Sequence, residues 1–299
     1  MNRRHLVMLL ALAAIWGASF LFIKVAVREL TPATLIVGRL GLAALTLALL
    51  APFLVGTGET LRQLRANAGW LVVVALVNTA IPFWLLSWGE TRIDSGLASI
   101  IQASVPIFNA LIAFVAFHEV RVTGSRLVGV GVGFLGVALL VGAQPEGKVL
   151  GALAVVGMAF CYGVGGLLTG RYLSGARPFV VALASTWIAT IVWLPVGVAE
   201  APSQTPGWKT IGSVVALGVP GTALAYLLFF GLITGAGAAY TSLVTYLIPP
   251  IALAYGAVFL DERFGSAALG GLALILAGVA LGTGAVRPGR ARRAAAADG

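Results

Sequence analysis

The chain has 299 residues, of which 60% are hydrophobic and only 10% carry a charge, and its mean hydropathy is +1.02. Soluble domains carry about a quarter charged residues, so this composition excludes a soluble fold and makes the bilayer the solvent. The formal net charge of +9 then belongs to loop and tail cations of a membrane protein, and no nucleic-acid partner is expected.

Ten apolar windows lie near 5–26, 31–54, 69–89, 93–117, 124–142, 149–172, 178–198, 210–231, 236–260 and 267–285. Each has the roughly 20 residues that cross a hydrocarbon core about 30 Å thick. The first follows Met1-Asn-Arg-Arg-His but is too long for a signal h-region, so it reads as a retained helix. It carries Trp16-Gly17 near its middle. The second opens at Pro32 and buries Arg39 about eight residues, hence about 12 Å, into the membrane; an arginine at that depth must face a polar partner or a cavity. The third holds Trp84 and Trp88 one turn apart.

In the fourth window Ser95, Ser99, Gln102, Pro106 and Asn109 are spaced 4, 3, 4 and 3, which places them on one helix face. Their counterparts in the ninth are Ala238, Ser242, Thr245, Pro249 and Ala252. Proline inside a helix frees the carbonyl four residues back. Pro106 and Pro249 therefore read as hinges that free the carbonyls of Gln102 and Thr245 beside polar side chains, although the same prolines also fit a role in helix curvature alone. Tyr162, Trp187, Tyr226 and Tyr246 lie well inside windows six to nine, where aromatic residues either wall a cavity or pack against neighbours.

The windows also repeat. Pro106 with Glu119 and Pro249 with Glu262 share a shift of 143; Trp16-Gly17 falls on Tyr162-Gly163 at 146, and Gly89, Gly129 and Gly136 fall on Gly231, Gly271 and Gly278 at 142. The expectation is an all-α membrane protein of ten transmembrane helices in two five-helix repeats, 1–145 and 146–285, with a disordered basic tail at 286–299. Five is odd, so the second repeat enters from the opposite side and the pair has inverted topology. Twelve arginines lie in the segments that share the side of the N-terminus, against six Lys and Arg in those on the other side. The positive-inside bias therefore puts both termini in the cytoplasm.

Soluble chemistries find little support. Gly142-Ala-Gln-Pro-Glu-Gly147-Lys148 has phosphate-loop spacing, but Val149 replaces the metal-binding hydroxyl residue and no strand precedes it. His118-Glu119 lacks a second histidine, since His5 is the only other one in the chain, and Cys161 is a lone cysteine. The expectation is no enzyme, no cofactor and no metal.

Trp16-Gly17-Ala18-Ser19-Phe20, the Pro32-to-Arg39 opening, the two proline-to-glutamate blocks and the glycine-rich fifth and tenth windows resemble the ten-span EamA-type branch of the drug/metabolite transporter superfamily. The resemblance implies a bacterial inner-membrane exporter of amino acids, other metabolites or toxic cations. On this reading substrate is held by Trp16, Arg39, Trp84, Ser99, Gln102, Tyr162, Trp187, Tyr226, Ser242, Thr245 and Tyr246, with Arg39 and the polar face of window four on the charged end. Small-molecule substrate, lipid bilayer and a monomer or weak homodimer are the expected partners. Alternatives are efflux of organic cations or of another metabolite such as a nucleoside. Every acidic residue falls in a loop, at a window end or in the tail, so the expectation for energetics is facilitated flux by alternating access, with no intramembrane proton carrier; the alternative is that Glu90 or Asp94, at the outer rim of windows three and four, is drawn into the cavity and carries protons.

Overall fold

The structure, a computed structural model, describes residues 2–117 and 125–282. Seven helices are long and apolar enough to cross a membrane: Arg3–Ala26, Pro32–Leu54, Ala68–Glu90, Ser95–Val115, Gly147–Tyr172, Pro178–Ala199 and Trp208–Ala236. Three shorter apolar helices, Leu127–Gly142, Val244–Leu260 and Ser266–Leu281, bring the set to ten. Numbered one to ten in chain order, the shorter ones are spans five, nine and ten. A bilayer offers no water to exposed peptide groups, and helices satisfy theirs internally; the described residues contain no strand. A short helix, Thr57–Ala66, joins spans two and three.

Packing follows the duplication. Span one packs on spans eight and nine, and its counterpart span six packs on spans three and four. Spans two and seven pack on each other, as do five and ten and also four and nine. Each contact thus returns itself, or another observed contact, when the halves are exchanged, as a pseudo-two-fold axis demands. Both repeats have five spans, so the axis lies in the membrane plane.

Glycines make these contacts possible. Lipid-embedded helices gain little from hydrophobic burial and associate where small residues let backbones approach. A Cβ on Gly17 would stand 2.7 Å from Ile251 of span nine, and one on its counterpart Gly163 would stand 3.0 Å from Phe108 of span four. Ile251 and Phe108 are themselves separated by the shift of 143. Gly136 and Gly278 behave alike: a Cβ on the first would meet the Gly271 carbonyl oxygen at 3.0 Å, and one on the second the Gly129 carbonyl oxygen at 2.6 Å.

Four spans are not regular, and they are two pairs of counterparts. Span three contains a π-helical turn at Leu76–Ala80 and span eight one at Val219–Leu224. Span four is interrupted at 103–104, between Ser95–Gln102 and Val105–Phe117. Span nine is interrupted at 242–243, between Ala238–Thr241 and Val244–Leu260. The proline-hinge reading changes in detail. Pro106 stands in the first turn after the break, where a missing N–H costs nothing, while Pro249 and Pro250 lie inside the helix that follows it. Gly237, at φ +87°, supplies the sharp entry to span nine that a residue with a Cβ resists. Glu119 lies outside the described residues, so the first proline-to-glutamate block is described only through Phe117.

Candidate functional site

The irregular segments converge on one cavity of about 440 Å³ at the repeat interface, within the roughly 300–1,000 Å³ of small-molecule sites. Spans one, two, three, four, six, eight and nine all contribute to its wall. Asn78 comes from the first π turn, Gly221 and Thr222 from the second, and Gln102 and Ser242 from the edges of the two breaks. A π turn offsets one turn of a helix and frees carbonyls, and such turns recur at functional sites. Here Thr222 Oγ1 donates back to the Leu217 carbonyl at 2.8 Å, and the Ala80 carbonyl accepts Trp193 Nε1 at 2.9 Å.

Arg39 dominates the electrostatics. It is buried, at 7% exposure, and lines the cavity. Its Nε donates to Thr222 Oγ1 at 3.1 Å, and its guanidinium carbon stands 4.5 Å from the centre of the Phe83 ring. Tyr162 and Tyr226 line the same cavity. No carboxylate does so among the described residues. The cavity therefore presents one positive charge inside a wall of hydroxyls, amides and rings, with Trp16 and Phe229 (ring centres 5.4 Å apart) on its apolar side.

Of the eleven side chains the sequence puts in the site, seven line this cavity: Trp16, Arg39, Gln102, Tyr162, Tyr226, Ser242 and Thr245. Four lie elsewhere. Ser99 is buried inside its own helix and donates to the Gly96 carbonyl. Trp84 stacks on Trp193, at 5.5 Å and 4° between planes. Tyr246 packs against the main core. Trp187, at 37% exposure, borders a separate apolar cavity of about 430 Å³ between spans two, three and seven and the Thr57–Ala66 helix. Helical periodicity fixes which residues share a face, but the neighbour that face meets is a tertiary fact. The cavity residues that the sequence reading missed include Asn78, Phe83, Thr222 and Thr241. Asn78-Thr79 and Thr222 were visible as polar residues midway along apolar windows, separated by nearly the repeat shift.

The end of the molecule near Lys24 is sealed above the cavity. Lys24 Nζ donates to the carbonyls of Glu90 and Ile93 at 2.7 and 2.6 Å. Glu262 accepts from Ser95 N, Ser95 Oγ and Gly96 N at 2.8, 3.0 and 3.0 Å, capping span four from the other repeat. A carboxylate at a helix N-terminus satisfies free amides and complements the helix dipole. Glu90, expected at a rim, is instead fully buried. At the opposite end the cavity wall reaches Ile233, Thr241 and the exposed Ser242.

Comparison with known proteins matches this architecture. A chain from Streptantibioticus cattleyicolor named probable terminal-alkyne amino-acid exporter is 30% identical over 275 residues, covering 89% of each chain. One from Escherichia coli named probable amino-acid metabolite efflux pump is 27% identical over 298 residues, covering 93% of this chain and 94% of that one. A solved crystal structure, at 18% identity and covering 95% of this chain and 98% of its own, shares the fold with a TM-score of 0.65. The profile of the EamA-like transporter family matches twice, at 3–142 and 149–283, once over each set of five spans. Such a match across nearly the whole chain, with named exporters among its relatives, makes this multi-pass membrane protein a small-molecule transporter and a member of the EamA-like transporter family.

Proposed function

We propose that the protein exports amino acids, aromatic ones included, across the bacterial inner membrane by alternating access, with both termini in the cytoplasm. The observation that carries the reading is Arg39. A buried guanidinium with a hydroxyl and a ring for partners, in a cavity with no carboxylate among the described residues, calls for an anion, and a substrate carboxylate is the complementary group. Trp16, Phe229 and Tyr226 then face the side chain, and Asn78 and Gln102 offer amide oxygens to the ammonium. Two relatives with amino-acid names support the same substrate class. An organic cation fits poorly, since Arg39 repels it and no lining residue among those described neutralises it.

The arrangement is that of an inverted-repeat carrier, in which discontinuous helices frame a central site and the halves rock around it. With both termini in the cytoplasm, the contacts near Lys24 lie on the outer side and Ser242 on the inner side, and on this reading the conformation loads from the cytoplasm. Counterflow in proteoliposomes tests the proposal with matched pairs of amino acids and their carboxamides. Saturable exchange of the acids but not the amides is the expected result. Equal exchange of both, or exchange of organic cations alone, would overturn it.

A further inference from the structure

Glu90 closes span three one turn beyond Leu86, which lines the cavity. Its side chain is enclosed by protein rather than lipid, at 0% exposure, and neither carboxylate oxygen has a hydrogen-bond partner. The charged groups that face it from the elements packed around it are Lys24 of span one, Glu262 of the loop after span nine and Arg39 of span two. All three are committed elsewhere: Lys24 to two carbonyls, Glu262 to the amides of span four, Arg39 to Thr222 and Phe83. Beyond them, Asp94 lies 3.9 Å from Lys148 of span six, and Arg92 packs over Trp88.

We propose that Glu90 is a proton-binding site that makes opening of the sealed end, and with it the rate of the transport cycle, depend on the pH on that side. The sealed arrangement gives this side chain neither solvent nor a donor. Holding a carboxylate there as an anion costs several kcal/mol, so the sealed conformation holds the uncharged acid. Releasing the Glu262 and Lys24 contacts lets solvent reach Glu90, which then gives its proton to water and becomes a hydrated anion. Resealing takes one proton back from solvent on that side. Acid on that side therefore favours the sealed state and alkali the open one. A proton released and regained on the same side is not carried across the membrane, so this step adds pH dependence to the expected facilitated flux. The inference builds on the reading of the protein as an alternating-access carrier but not on the identity of its substrate.

The test is a distance measurement in substrate-free protein. Spin labels at Thr91→Cys and Arg263→Cys, in a Cys161→Ser background and in neutral-lipid nanodiscs, span the sealed end. Between about pH 5 and 9 the open-to-sealed ratio should rise with pH, by up to about tenfold per pH unit for one linked proton. Glu90→Gln should stay sealed and flat across that range. A flat wild-type profile, or an unchanged pH response in Glu90→Gln, would overturn the proposal. If Glu90→Gln does not fold, Glu90→Asp decides, because a shorter acid in the same enclosure must move the midpoint; an unmoved midpoint sinks the idea. Since no substrate is present, failure here is separable from failure of the amino-acid reading.

Discussion

Replacing Arg39 by methionine should separate binding from stability. Among protein groups Arg39 has one hydroxyl at 3.1 Å and one ring face at 4.5 Å. A hydrogen bond to a charged group contributes about 1.5–3 kcal/mol and a desolvated cation–π contact about 2 kcal/mol. Removing a guanidinium from water costs several kcal/mol. The terms nearly cancel, so Arg39→Met should leave the thermal midpoint unchanged or raise it. With substrate bound the sign reverses, because the mutation strands a buried carboxylate without its cation, at a cost of about 3–5 kcal/mol. At 1.4 kcal/mol per tenfold, that is a loss of roughly a hundredfold or more in affinity. Equilibrium binding of a labelled amino acid and its carboxamide to both proteins completes a double-mutant cycle. The expected result is a large acid preference in the wild type and none in Arg39→Met. Equal losses for acid and amide, with a lowered midpoint, would show that Arg39 is only structural.

Gln102→Ala and Trp16→Ala should each lower transport while folded protein stays in the membrane, whereas Trp187→Ala, at the separate apolar cavity, should leave transport intact; the reverse ranking in a vesicle flux assay would relocate the site. Gly278→Leu should lower the unfolding midpoint, since even a Cβ there would lie 2.5 Å from the Gly133 nitrogen and overpacking costs about 1–3 kcal/mol or more; an unmoved midpoint would mean spans five and ten do not meet there. A cysteine at Arg65, in a Cys161→Ser background, should resist impermeant thiol reagents added to intact cells, and ready labelling would invert the proposed orientation.

The ten spans were legible because the bilayer imposes a length on each apolar run. The duplication was legible because glycines needed at close contacts recur at a fixed shift, as Gly17 and Gly163 do. The position of the helix breaks was not. Proline marks where a helix is weak, yet in span nine the chain breaks at 242–243, after Gly237, and continues through Pro249. The π turns left no residue signature beyond Asn78 and Thr222 at corresponding depths. Trp16 and Trp187 look alike in a window of apolar residues; only packing puts one against Phe229 and the other beside the Thr57–Ala66 helix. Glu90 looked like a rim residue because sequence distance places it at a helix end. Its burial is a tertiary fact: packing of the neighbouring spans encloses the side chain completely.

The claim that the cavity at the repeat interface holds the transported molecule is tested most directly by substrate protection. Ser242 lines the cavity and is exposed, so Ser242→Cys in a Cys161→Ser background should react with a small thiol reagent. Amino acids should slow that reaction at the concentrations that saturate counterflow, their carboxamides should not, and Arg39→Met should abolish the protection. Labelling that proceeds at the same rate under saturating substrate, in protein shown to exchange it, would contradict the account.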